Sequence, residues 1–237
     1  MIESVRPPTL FRLAVDLVIF TMRDERLQVL LVERGKEPFL GRAALPGGFV
    51  RLPEDLDATA TRELEEETGL EGRDLHLEQL RCYAREGRDP RGAIASVAYL
   101  AIAPNLPTPV AGTDAARAMW VPVLGDKVDR SLAFDHAAIL RDGLDRARAK
   151  LESMPIAASF CGAAFTISEL RRVYEAVWGV RVDAPNFYRK VTKIEGFIEE
   201  TGELQSLPAG RPAKLYRRGP ATILQPPMLR PGRSSGT

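Results

Sequence analysis

Apolar positions change rhythm along the chain, and each rhythm predicts an element. Residues 12–20 (RLAVDLVIF) alternate loosely, Arg23-Asp24-Glu25-Arg26 is a charged cluster, and residues 27–32 are nearly continuous in apolar character. Two such runs around a polar turn predict a β-hairpin. Leu45-Pro46-Gly47-Gly48-Phe49-Val50 breaks any helix, whereas residues 55–68 are good helix formers and Gly69 stands where a C-cap glycine belongs. Strands are expected at 75–84, 93–103 and 119–123, with a turn at 87–92 between the first two, and a helix over 136–152. Strands and helices in this order predict an α/β body, a mixed sheet flanked by helices rather than a bundle.

The stretch 153–161, with Pro155 and several alanines, is the best boundary, and the pattern changes beyond it. Thr166 or Ser168 can cap a helix running to Trp178, with Gly179 to end it. Residues 185–200 read as a second helix stopped by Gly202, and residues 203–218, with Pro208, Gly210 and Pro212 at their centre, as a hairpin. Helix, short turn, helix and hairpin is the outline of a winged helix-turn-helix. The expected organisation is thus a domain over 1–153, a smaller winged helix-turn-helix over 154–218, and a disordered tail over 219–237, where Pro, Gly and Ser accumulate. No internal repeat is visible.

Composition narrows the classes. With 45% hydrophobic and 27% charged residues in 237, the chain can bury a core, which excludes wholesale disorder. Uncharged stretches such as 153–166 fall short of the roughly 20 apolar residues of a membrane span. Met1 to Pro8 carries Glu3 and two prolines where a secretory signal has an apolar core, so a cytoplasmic protein is expected. Cys82 and Cys161 lie 79 positions apart without neighbouring ligand-spaced Cys or His, which favours neither a disulfide framework nor zinc. Charge is asymmetric: residues 1–154 carry 21 Lys+Arg against 25 Asp+Glu, net −4, and residues 155–237 carry 12 against 7, net +5. A basic second body suits an anionic partner, nucleic acid being the commonest, and charge alone fits an unpartnered solvated face equally well.

Glu63, Glu66 and Glu67 stand at i, i+3 and i+4 of the predicted helix, making one anionic face. Like charges so spaced repel, and a hard cation such as Mg²⁺ or Mn²⁺ neutralises them. Arg62 is placed to pair with Glu54, while Gly47 and Gly48 let backbone come close to the metal. On these glutamates alone a Glu-rich surface helix is the better reading. The spacing overturns it: Gly48, Glu54, Arg62, Glu63, Leu64, Glu66, Glu67, Gly69 and Leu70 fit Gly-x5-Glu-x7-Arg-Glu-U-x-Glu-Glu-x-Gly-U, with U aliphatic. Seven fixed positions recur by chance on the order of once in 10⁸ windows.

The pattern resembles the Nudix box. That resemblance implies the Nudix α/β/α sandwich and metal-assisted chemistry on a nucleoside diphosphate linked to another group. It assigns Glu63, Glu66 and Glu67 to metal and to catalysis if the site is active, and Glu54 with Arg62 to structural pairing. Leu45–Val50, the 87–92 loop leading into Ser96-Val97-Ala98-Tyr99-Leu100, and Leu132-Ala133-Phe134-Asp135-His136 look like the ADP-ribose-recognising branch. Gly47, Gly48, Arg88 and Arg91 are then ligand-binding candidates, the arginines as a bidentate diphosphate clamp; a charged turn in solvent is the other reading of that loop.

The second half adds another resemblance. Phe165-Thr166-Ile167-Ser168-Glu169-Leu170, Asn186-Phe187-Tyr188-Arg189-Lys190 and Gly210 to Arg218 look like the winged-helix half of the Nudix-related transcriptional regulator (NrtR) family. This implies a homodimeric repressor of NAD-metabolism genes that senses ADP-ribose and binds a double-stranded DNA operator. Asn186 and Arg189 are candidates for base contacts, and Lys190 and Lys193 extend the recognition helix. Arg211 and Lys214 on the wing are candidates for phosphate or minor groove. The alternative is a Mg-dependent Nudix pyrophosphatase whose basic C-terminal domain serves dimerisation or protein contact. The intact box is compatible with turnover and with sensing alone.

Overall fold

The computed structural model describes residues 10–70, 75–109, 115–206 and 212–232. The first hairpin forms as the pattern predicts: β1 (Arg12–Arg23) pairs antiparallel with β2 (Arg26–Arg34). Its tight turn is made by Asp24 and Glu25, both at positive φ, the geometry that matches the twist of two-residue hairpins. Two short strands follow, β3 (Ala43–Ala44) on β2 and β4 (Gly47–Phe49) on β1.

Helix α1 (Leu56–Thr68) begins at Asp55, whose carboxylate accepts from the Ala58 N–H at 2.8 Å, and ends at Gly69 with φ 66°. Beyond it come β5 (Glu78–Tyr83), β6 (Ile94–Ile102), β7 (Ala115–Leu124) and β8 (Lys127–Val128). The order β5-β6-β1-β2-β7-β8 makes a mixed sheet, because β1 and β6 run parallel from Arg12↔Ile94 to Phe20↔Ile102 and the other pairs are antiparallel. Two expected strands differ in length: 75–84 shortens to β5, and 119–123 lengthens to β7.

Alternation in β1 sets the layers. Val15, Leu17 and Ile19 pack with Ala60 and Leu64 of α1. Val18 and Phe20 face the other way, onto Ile139, Leu140 and Leu144 of α2 (His136–Ser153). The result is a helix, sheet, helix sandwich. Gly143 permits this contact, since a Cβ there would lie 2.8 Å from Val18 Cγ1.

A short α3 (Ile156–Ser159) leads to α4 (Ile167–Trp178), which opens on a full capping box: Thr166 Oγ1 accepts from Glu169 N–H, and the Glu169 carboxylate accepts from Thr166 N–H. Helix α5 (Ala184–Val191) is capped by Asp183, and the wing is β9 (Ile198–Gln205) against β10 (Ala213–Arg218).

Two expectations are corrected here. The second helix stops at Val191, not near 200, because Ile198–Gln205 is taken into the ladder with β10 and Gly196 turns the chain at φ 67°. Strand pairing overrides the helix propensity of a Glu-rich segment. The tail expected to be disordered from 219 is ordered through Gly232, because Leu224 and Met228 are buried in the cluster that α2 and α4 share.

Candidate functional site

The loop 45–48, the face of α1 and the start of α2 enclose a cavity of about 640 Å³, within the usual range for small-ligand sites. Arg62 is the hub of its acidic wall. Its Nε and Nη2 donate to Glu54 at 2.7 and 3.0 Å, its Nη1 to Glu63 at 2.6 Å and Glu66 at 3.1 Å, and Nη2 also to the Phe49 carbonyl at 3.1 Å. The expected Glu54–Arg62 pair is thus present, and the hydrogen bond from Arg62 holds Glu54 down to about 2. Arg51, which sequence reasoning did not single out, chelates Glu66 with two bonds of 3.3 Å.

Glu63 and Glu67 are the carboxylates turned inward. Burial raises the Glu63 pKa against the pull of Arg62, and burial pushes Glu67 up to about 8 against the Gly47 N–H that donates to it at 2.9 Å. The glycines earn their place by close approach. A Cβ at Gly47 would lie 2.2 Å from the Val15 carbonyl oxygen, and one at Gly48 would lie 2.1 Å from Glu63 Oε1. Among the described residues no three such ligands are gathered into a ready cage, since Arg62 and Arg51 lie against two of the three glutamates. The donor set nevertheless fits a hard divalent cation: all oxygen, anionic, and with Glu67 raised by burial and by the like charge of Glu63, both of which a cation would offset.

The two loop arginines part company. Arg88 lines the cavity but is buried and already engaged, not in a charged turn in solvent: it gives Nε and Nη2 to Asp135 at 2.9 and 2.8 Å and Nη2 also to Asp16 at 3.3 Å. Arg91 lines the cavity as well, fixed by Asp89 at 2.7 Å and stacked 5.1 Å from the ring centroids of both Phe49 and Phe134. Arg34 lies over Phe134 as well, at 4.7 Å.

Asp16 is the main residue missed. It also accepts from Ser96 Oγ at 2.6 Å and lies 3.3 Å from His136 Nε2. His136 Nδ1 accepts from the Leu45 N–H at 2.8 Å, so Nε2 is the ring N–H aimed at Asp16. Burial pushes Asp16 up, but His136, Ser96 and Arg88 together outweigh it and hold the carboxyl down to about 2. The available signal was a single carboxylate in the apolar run 13–20: a buried charge is kept where partners are waiting for it.

On the second body, Phe187 anchors α5 in the core, 5.3 Å from Tyr174, and leaves its other face open. Arg189 and Lys190 are exposed there, Lys193 is exposed in the turn beyond the helix end rather than on the helix, and Asn186 Oδ1 accepts from Arg189 Nη2 at 2.9 Å. Lys214 is exposed on the wing, its Nζ 2.8 Å from Glu200 across the hairpin, as Arg217 is paired with Glu199. Arg211 lies outside the described residues.

Comparison with known proteins follows the same division. The family model of the NUDIX domain matches residues 10–141, and that of the NrtR DNA-binding winged helix domain matches residues 157–218. An "ADPR responsive transcriptional repressor NtrR" of Acinetobacter baylyi is 35% identical over 208 residues, 86% of this chain and 81% of the relative. An ADP-ribose pyrophosphatase of Methanocaldococcus jannaschii is 37% identical over 131 residues, 54% of this chain and 70% of the relative. The crystal structure of Shewanella oneidensis NrtR complexed with a 27mer DNA superposes with a TM-score of 0.67 at 32% identity, covering 88% of this chain and 94% of that one. With a Nudix sandwich and an NrtR winged helix joined in one sequence, the chain belongs to the Nudix-related transcriptional regulator (NrtR) family.

Proposed function

We propose that this protein is an ADP-ribose-responsive repressor that binds double-stranded operator DNA of NAD-metabolism genes as a cytoplasmic homodimer. Residues 1–153 sense the ligand and residues 154–218 read the DNA. One observation carries the reading: a cavity walled by an intact Nudix box and an exposed basic helix, α5, belong to the same chain. The Acinetobacter relative is named for the same response and the Shewanella relative was crystallised on DNA. Among the described residues no helix is long and apolar enough to cross a membrane.

In this scheme Arg91, beside Phe49 and Phe134, offers a planar guanidinium to a diphosphate, while Gly47 and Gly48 let the ligand-binding loop close on Val15 and on Glu63. Arg88 supports the floor through Asp16 and Asp135 instead of touching ligand. Glu63, Glu66 and Glu67 would hold Mg²⁺ or Mn²⁺, which supplies Lewis-acid polarisation of a phosphoryl oxygen.

A gel shift with DNA from upstream of the neighbouring genes tests the reading. A retarded band that ADP-ribose releases is the expected result, and no binding to any such fragment contradicts it. A second reading, ADP-ribose pyrophosphatase, is favoured by the complete box and the similarity to the Methanocaldococcus enzyme. It requires release of AMP and ribose 5-phosphate with loss of activity in Glu66→Gln.

A further inference from the structure

The two family matches end at residues 141 and 218, so neither reaches the segment after the wing. Residues 219–232 are nevertheless fastened at two places. Leaving β10, the chain crosses the turn between α5 and β9, where the Gly219 N–H donates to the Phe197 carbonyl and the Ala221 N–H to the Gly196 carbonyl, both at 2.9 Å. The approach is so tight that a Cβ on Gly219 would lie 2.1 Å from the Gly196 oxygen.

The segment then reaches the C-terminal end of α2. There the Leu224 N–H donates to the Ser153 carbonyl and the Met228 N–H to the Glu152 carbonyl, both at 2.8 Å, and the Arg230 N–H to the Glu152 carboxylate at 3.2 Å. These bonds satisfy carbonyls that a helix end leaves without an intrahelical partner. Leu224 and Met228 are each 2% exposed and complete the apolar cluster between α2 and α4.

The opposite end of α2 lies in the cavity. Its first residue, His136, contacts Leu45 and Asp16, and Asp135, just before it, takes two bonds from Arg88. Phe134, on the cavity wall, sits at φ 52°, a left-handed conformation that is uncommon for a bulky side chain and concentrates at functional positions. An 18-residue helix is roughly 27 Å long, so α2 spans from the ligand cavity to the segment after the wing.

We infer that residues 219–232 are a strap through which α2 fixes the recognition helix α5, so that a ligand displacing the cavity end of α2 shifts α5 and changes DNA affinity. The inference rests on the sensing function proposed above. The connection 154–166 and the packing of α2 on α4 fix the start of the second body, whereas the strap joins α2 to the turn that leads from α5 into β9. Attachment at both places ties the orientation of α5 to α2. Half-sites read by rigidly spaced helices tolerate little displacement, so a small rotation is enough.

The test uses the full chain, ADP-ribose and a DNA fragment retarded in the gel shift. In the unaltered protein ADP-ribose should weaken DNA binding on the order of 100-fold, within the usual range of allosteric coupling. With Leu224→Ser and Met228→Ser together, each ligand should still bind alone, while the mutual effect falls below about 5-fold. A coupling as large as in the unaltered chain overturns the strap. Because two buried substitutions can unfold the chain, the unaltered protein gives a second readout: amide hydrogen exchange at Leu224 and Met228 should change about tenfold when ADP-ribose binds. Identical exchange with coupling present also overturns the strap. If ADP-ribose leaves DNA affinity untouched in the unaltered chain, the sensing function itself fails, and the strap's role fails with it.

Discussion

Arg148, near the end of α2, donates from Nε to the Val177 carbonyl near the end of α4 at 3.1 Å, and from Nη2 to the Gly125 carbonyl at 2.9 Å. Its Nη1 meets Asp126 at 2.6 Å. A cation at the end of α4 complements that helix's dipole and answers carbonyls without partners. The side chain is buried, as is Val177, so its loss leaves the Val177 carbonyl without this donor away from water.

Arg148→Met should therefore destabilise the protein by about 1–3 kcal/mol, the cost of one buried orphaned acceptor. For a chain of this size that is a drop of roughly 2–12 °C in Tm. Differential scanning calorimetry decides it, and a shift under about 2 °C would mean that the contact is surface decoration. Tyr174→Phe, which removes only the hydroxyl bond to the Leu151 carbonyl, should cost about 1 kcal/mol.

What was legible in the sequence was what is written locally. Asp55, Gly69, Thr166 with Glu169, and Gly179 bound their helices because capping is settled within a few residues. The Nudix box could be read because its residues share one helix and one loop. Arg88 could not: its carboxylates come from 72 and 47 positions away, so nothing near it reveals that its charge is already committed. Residues 195–200 carry helical propensity, and only the partner strand β10 decides otherwise. The segment after the wing obeys the same logic. Its Pro and Gly content marks a chain that forms no helix or strand of its own, yet Leu224 and Met228 find burial on α2.

Asp16 gives the stability a signed pH dependence. Its folded pKa, held down to about 2 against an ordinary value of 3.8, contributes stability that is fully present above the unfolded value and is lost as pH falls toward 2. In Asp16→Asn that acid-limb dependence should shrink. At pH 7 the variant should be less stable by about 2–4 kcal/mol, because Arg88 and His136 lose a buried partner. Thermal melts at pH 2 to 7 measure both, and parallel curves for the two proteins would remove Asp16 from the acid transition.

Glu67 has the opposite sign. Raised to about 8, its carboxyl favours the protonated form in the fold, so its contribution without metal is present below the ordinary value of 4.5 and is lost as pH rises through 8. Glu67→Gln should thus raise Tm at pH 8.5 in chelator, and combined with Glu66→Gln should abolish most Mg²⁺ or Mn²⁺ binding by calorimetry. Gly48→Ala separates geometry from charge. The added methyl displaces the Glu63 carboxylate, a flexible group, and leaves the backbone in place. Metal affinity should fall about tenfold or more while Tm moves little. Unchanged affinity in Glu66→Gln/Glu67→Gln would put the metal elsewhere.

On α5 the hydrogen bond from Arg189 to Asn186 presets the guanidinium before any DNA arrives, leaving its remaining N–H groups free to face a base edge. Arg189→Ala should relax preference at one base position by roughly 1–3 kcal/mol. Asn186→Ala should give part of the same loss, since it removes the group that orients Arg189. Lys190 is exposed on this face and Lys193 in the turn beyond the helix end, with positive charge suited to phosphate. Each alanine variant should weaken all sequences alike and lower the slope of log K against log salt by about one unit. Lys214→Ala should change the slope less, because its ammonium is already neutralised by Glu200. Fluorescence anisotropy across a salt series, with operator and scrambled DNA, separates the two kinds of loss. If Arg189→Ala weakened both DNAs equally and flattened the slope, its contact would be with phosphate, and base reading would have to come from elsewhere on the domain.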